Sequence, residues 1–256
     1  MGFSLRALSR KGMQVSMRIG REAMLDDIRR ALNGKGKSPS SDGLPNIYAS
    51  PKADDLCTEI KSHCQEKRDE LINQFESELT KAGGRFYRAS TAESAFRFVK
   101  QIVTDRHAKT MVAFGSRIID GIDLPKRVDE IGVGFVTESE SDFIPTAAVA
   151  DLGLTGVDYA LAETGTLVLV AREGQARVIS LLPPVHIAVL KPEQVISDLN
   201  DLFPLLRSET DAGGGNLSSA VTFITGPSRT ADIELTLVVG VHGPQQLHVI
   251  LVDIPA

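Results

Sequence analysis

Hydrophobic positions along the chain change their period near residue 84. Before it, apolar residues recur at helical spacing: Ile19, Ala23, Met24, Ile28, Ala31 and Leu32 form one stripe, and Leu56, Ile60, Leu71, Phe75 and Leu79 a second. The first stripe predicts a helix from Ile19 to Leu32, stopped by Asn33-Gly34. The second predicts an unusually long helix from Ala53 to Ala82, closed by Gly83-Gly84 at the position after a helix that favours glycine. Between them, Lys35 to Pro51 is rich in Ser, Gly, Pro and Lys and reads as a linker or exposed loop.

From Arg85 onward, short apolar runs alternate with helical ones. Arg85–Ala89, Thr110–Phe114 and Val133–Thr137 read as strands. Thr91–Thr104, with a Ser90/Thr91 cap, and Leu124–Glu130 read as helices. Such β-α-β units predict a mostly parallel sheet with helices on both faces, its strand C-termini and their loops gathered on one rim. The second half is richer in strand signal. Gly153–Ala160, Thr166–Ala171, Arg177–Ser180 and Val185–Leu190 are expected to form strands, partly antiparallel, and Val221–Thr225 and Leu247–Val252 to close the fold. Gln194–Arg207 reads as a helix that Pro204 should kink or end. Thr210–Ser219, with three consecutive glycines, is a candidate mobile loop or lid.

Composition narrows the class. The 256 residues are 42% hydrophobic and 24% charged, ordinary for a globular chain with a sizeable core. There is no Trp, and the net charge is −5, which gives no basic footprint for nucleic acid. No 18-residue apolar stretch predicts a membrane span. The charge is unevenly spread: residues 1–50 carry nine basic and four acidic side chains, and the remainder 19 and 29. Arg6, Arg10, Lys11 and Arg18 meet no acid before Gly20, so residues 1–18 read as a transit-peptide-like start, a flexible tail, or an extension ahead of a true start at Met13 or Met17. Cys57 and Cys64, seven apart on a helix, are about 10 Å apart along its axis, too far for a disulfide. Free thiols in a reducing cytoplasm are the expectation, with no metal site in the chain.

Four stretches combine apolar strand with polar or glycine-rich loop. The first is Ala162-Glu163-Thr164-Gly165-Thr166: a glycine lets the backbone turn and aim N–H groups at a ligand, and Glu163 supplies an acceptor or a base. A plain turn between two strands explains it equally well. The second, Leu182-Pro183-Pro184-Val185-His186, holds a histidine that is either a ligand contact or a buried, hydrogen-bonded core residue. The third, Gly226 to Glu234, follows a strand; Thr230 is expected to cap a helix whose free N–H groups, with Ser228 and Arg229, form an anion site. The fourth is Gly240-Val241-His242-Gly243-Pro244. No Walker A loop, G-x-G-x-x-G or metal-binding pair occurs.

Taken in order and spacing, these four stretches resemble the LUD domain, and in particular the lactate-utilisation protein C (LutC/YkgG) family, over roughly Gly84 to Asp253. The resemblance implies a three-layer α/β/α sandwich like the NagB/RpiA/CoA-transferase fold, with an N-terminal helical arm at residues 19–83 (linker 34–52) and the α/β domain at 84–256. It implies an accessory role in a cytoplasmic system oxidising L-lactate to pyruvate, beside iron–sulfur partners (LutA- and LutB-like) that hold the clusters. This chain would then carry no cofactor and could self-associate. A small anionic ligand is expected at Thr164, Gly165, Thr166, His186, Ser228, Arg229, Thr230 and His242, with Glu163 as the candidate for any catalysis. Many relatives carry Asp where this chain has Glu163. Two other readings stay open: a free-standing enzyme of the same superfamily (phosphosugar isomerase, acyl-CoA transferase or folate cyclo-ligase type), and a pure interaction module.

Overall fold

The computed structural model describes residues 53–114, 116–137, 143–172, 176–212, 218, 220–230 and 238–254. Residues 1–50, with the expected helix at 19–32 and most of the linker, lie outside the described residues, as does the triple glycine at 213–215.

The expected long helix is two helices, α1 (Ala53–Glu66) and α2 (Arg68–Lys81), with Lys67 outside helical geometry between them. The break turns different faces inward. Cys57, Ile60 and Cys64 are buried on α1, and Leu71, Ile72, Phe75 and Leu79 on α2, whereas Leu56 is 44% exposed. Both cysteines are free. Phe75 and Leu79 are fully buried, each worth about 1.5–3 kcal/mol of transfer free energy.

Strand β1 (Arg85–Ala89) leads into α3 (Ala92–Arg106), whose cap matches expectation: the Thr91 hydroxyl accepts from the Ser94 amide at 3.1 Å. Then come β2 (Thr110–Ala113), α4 (Arg117–Gly121), a 3₁₀ turn with α5 (Val128–Ile131), β3 (Gly134–Thr137) and α6 (Phe143–Val149). Helices α4 and α6 were not legible as separate elements.

The expected strand at 153–160 is divided between two sheets: β4 (Leu152–Gly156) and β5 (Tyr159–Leu161). After β6 (Thr166–Val170), residues Arg177–Ser180 form a 3₁₀ turn, not the expected strand. There β4 leaves no room for a neighbouring side chain, because a Cβ on Gly153 would lie 2.0 Å from the Ile179 carbonyl oxygen. Strand β7 (Val185–Leu190) and the short β8 (Val195–Ile196) follow. Helix α7 (Leu199–Ala212) starts later than expected and continues past Pro204, whose missing N–H forfeits the bond to the Asn200 carbonyl. The chain closes with β9 (Val221–Ile224), β10 (Arg229–Thr230), β11 (Val238–Val239) and β12 (Gln246–Val252).

The architecture is mixed α/β. Six parallel strands run in the order β1-β12-β7-β4-β2-β3. One face packs on α3 and α4 through Phe96, Val99, Ile102 and Ile119. The other carries α6 at one end (Phe143, Ala147) and, at the other, a core shared with α1, α2, α7 and a second sheet, β8-β5-β6-β9. The alternation of strands β7 and β12 divides their apolar side chains between these faces: Ile187 and Ile250 go one way, Ala188 and Val249 the other.

Candidate functional site

The end of α2 is the post on which the four stretches assemble. Gly83, at φ +93°, donates to the Thr80 carbonyl and Gly84 to that of Leu79, both at 2.9 Å, the paired closure that glycine makes after a helix. The Ala82 carbonyl at that end accepts from an Arg229 guanidinium nitrogen at 2.8 Å. A cation is favoured there by the negative end of the helix dipole.

Residues 162–165 are the turn of the β5–β6 hairpin, closed by the Gly165 amide on the Leu161 carbonyl at 3.0 Å. Gly165 has φ +65° and lies against α2, where a Cβ would sit 2.2 Å from the Leu79 nitrogen. Only glycine satisfies both demands. The turn is also tied to β8, through Ala162 N–H to Ile196 O (2.8 Å) and Glu163 N–H to Ser197 O (3.0 Å). From the turn a chain of hydroxyls, Thr164–Thr166–Thr225, runs at 2.7 Å per step to the end of β9.

Beyond it, Gly226 (φ +81°) passes so close to α2 that a Cβ would lie 2.5 Å from the Ala82 oxygen. The Ser228 amide donates to Pro244 O at 2.9 Å, and the Gly240 amide to Ser228 O at 3.0 Å. The Gln245 amide donates to Pro184 O at 2.8 Å. So all four stretches meet. They meet at the N-terminal ends of β1, β7 and β12, the edge opposite the expected C-terminal rim. The reason is order in the chain: Pro183-Pro184 and 240–245 lead into parallel strands instead of following them.

One further expectation lies outside the described residues and one is corrected. Arg229 and Thr230 pair antiparallel with Val239 and Val238, and the helix expected after Thr230 falls on residues 231–237, outside the described residues. The β-branched pair Val238-Val239 supplies the strand partner. Asp232 and Glu234 lie outside the described residues. His186 is fully buried in β7, its Nε2 2.8 Å from the Thr155 hydroxyl. Burial, with a smaller push from His248, lowers its pKa to about 3, so the ring is neutral. It supports the sheet beneath the junction and does not reach solvent.

On the junction's outer surface stand Glu163, Thr164, Arg229 and His242, all exposed, with Ser228 and Thr230 half-buried beside Arg229. Arg229 spends one donor on Ala82; its remaining N–H groups, with the Thr164 hydroxyl, can hold a small carboxylate. Sequence reasoning missed Thr225, which completes the hydroxyl chain, and Thr155, which partners His186. It also missed the pairing of His248 with Tyr87, 3.0 Å from hydroxyl to Nδ1. A threonine or histidine inside an otherwise apolar strand was the available signal.

The model of the LUD domain matches residues 72–252. Lactate utilization protein C of Halalkalibacterium halodurans is 29% identical over 91% of this chain and 97% of its own. That of Bacillus subtilis is 32% identical over 91% and 95%. Lactate utilization protein B of Shouchella clausii is 28% identical over 77% of this chain, which spans about half, 51%, of the B protein. A crystal structure of a DUF162 family protein from Deinococcus radiodurans is 24% identical, covering 72% of this chain and 98% of its own with a TM-score of 0.49. This chain belongs to the LUD domain family.

Proposed function

We propose that this chain is an accessory subunit of a cytoplasmic L-lactate utilisation system and binds a small organic carboxylate at the four-loop junction. The observation that carries the site is that the stretches bearing Glu163, Thr164, Arg229 and His242, all exposed, are bonded together around the α2 C-terminus. Four sequence-distant stretches are bonded into a fixed frame, and the uncommitted donors of Arg229 lie on its outside. The relatives support the pathway: proteins named lactate utilization protein C match nearly end to end, and the B proteins match over about half their length. Redox centres belong, on this reading, to iron–sulfur partners. Arg229 and Thr164 hold the carboxylate, and Glu163 accepts a hydrogen bond from a substrate hydroxyl.

A deletion strain grown on L-lactate tests the pathway, with complementation by the wild-type chain and by an Arg229→Ala, Glu163→Ala double variant. Growth lost on deletion and restored only by the wild type is the expected result; a deletion strain that grows normally overturns the assignment. Calorimetry with L-lactate and pyruvate tests the site, where Arg229→Ala should weaken binding about tenfold. Turnover of a phosphosugar, CoA ester or formyl-folate by the purified chain, lost in Glu163→Gln, would replace this reading with the free-standing enzyme.

A further inference from the structure

A groove of about 490 Å³ runs along α1, and none of the exposed junction residues Glu163, Thr164, Arg229 and His242 lines it. That volume lies within the range of small-molecule sites, roughly 300–1,000 Å³. A second cavity, lined by Thr155, Asp158 and Ser180 among others, measures about 20 Å³, enough for one water. The floor of the groove is the outer side of the core that α1, β8 and α7 close: Ile60, Val195, Ile196 and Leu205, each buried. Its wall is polar. Thr58, Ser62 and Gln65 follow one another at spacings of four and three, so they stand in one stripe of α1, with Lys61 beside them and Glu193 contributed by the turn before β8. Lys61, Ser62, Gln65 and Glu193 have no side-chain partner among the described residues. The Tyr159 hydroxyl, by contrast, is committed to Glu209, which leaves its ring to line the groove.

We propose that this groove is a second ligand site, which takes an amphipathic organic monoanion. An apolar body lies on the Ile60–Val195–Ile196–Leu205 floor, the anionic head sits on Lys61, and a hydrogen-bond donor turns to Glu193. One cation with one carboxylate across from it selects a single negative charge, since a dianionic phosphate would meet Glu193 uncompensated. Ser62 and Gln65 supply orienting hydrogen bonds at the rim. Cys64, in the groove wall and otherwise buried, makes occupancy measurable.

The probe is 8-anilinonaphthalene-1-sulfonate, which combines an aromatic body, one sulfonate and an N–H donor. With the full chain, its fluorescence should rise saturably with one equivalent bound, and Lys61→Glu should weaken binding about tenfold or more. In a Cys57→Ser variant, the probe at ten times its Kd should slow maleimide modification of Cys64 about tenfold. Arg229→Ala should change neither result, which separates this site from the junction. Non-saturating fluorescence, parental affinity in Lys61→Glu, or an unchanged Cys64 rate each overturns the proposal. Lys61 is exposed, so an unaltered melting curve shows that the charge reversal left the fold intact.

Discussion

His186 and His248 stand on neighbouring strands of one sheet and point to opposite faces, since His186 pairs with Leu247 and His248 with Ile187. Burial holds both neutral: the pKa of His186 falls to about 3, and that of His248 to about 4, where Arg85 and Arg106 add to the effect. Their hydrogen bonding differs. His248 has Tyr87 at Nδ1 (3.0 Å) and Gln246 at Nε2 (3.3 Å), and its ring stacks on Tyr87 at 5.8 Å between centroids. His186 has Thr155 at Nε2 and nothing at Nδ1, a buried nitrogen without a partner. Desolvation alone neutralises a histidine, so neutrality says nothing about fit. The satisfied ring is replaceable only at the cost of its bonds, whereas the half-satisfied one already carries an unmet demand of about 1–3 kcal/mol.

The broadest test is pH. Each ring is neutral in the fold and takes up a proton at about 6.5 in the unfolded chain, so the unfolded state binds more protons below that value. Stability is therefore complete above pH 6.5 and declines as pH falls toward 4 and then 3, by about 1.4 kcal/mol per pH unit for each histidine. Unfolding free energies from urea titrations at pH 7 and pH 5 should differ by about 4 kcal/mol, and replacing either ring by an apolar side chain should remove about half of that slope. An undiminished slope in both variants would show that these rings are not its source.

Next in size is Gly153→Ala. Gly153 lies opposite His186 in β4, and the new methyl would meet the Ile179 carbonyl at 2.0 Å, so a loss of about 3 kcal/mol is expected in denaturant unfolding. Thr155→Val strips His186 of its one partner and should cost about 2 kcal/mol. Tyr87→Phe leaves His248 with Gln246 and should cost only about 1 kcal/mol. If the phenylalanine variant proves the more damaging, the contrast between the two rings is wrong.

The same sheet shows how far residue patterns reach. Largely apolar runs such as Val185–Leu190 announced the parallel strands almost to the residue, because a strand buried on both faces reads as a near-continuous hydrophobic run. The run at 153–160 misled because continuous hydrophobicity hides a change of sheet: Leu154 packs on one core and Ala160 on another. Arg177–Ser180 misled because the packing of Gly153 on Ile179, not local preference, sets its shape. At the junction the residue types were legible, and the place was not. Glycines 83, 165 and 226 announced turns, but their shared neighbour, the last turn of α2, is a tertiary fact. The role of Arg229 was half visible: its charge pointed to an anion, while its bond to Ala82, 147 residues away, had no sequence signal.

One feature of the sheet bears on how the chain is made. Strand β1 has a single neighbour, and that neighbour is β12, which also separates it from β7. A growing chain that has completed α2, β1 and everything up to residue 245 still lacks the ribbon on which β1 must lie. Closing that loop of more than 150 residues costs only slowly growing entropy, but it must wait for β12 to appear. Until Gln246–Val252 has left the ribosome, the apolar edge of β7 stays open to other strands, and the sheet locks only once β12 is in place instead of piece by piece.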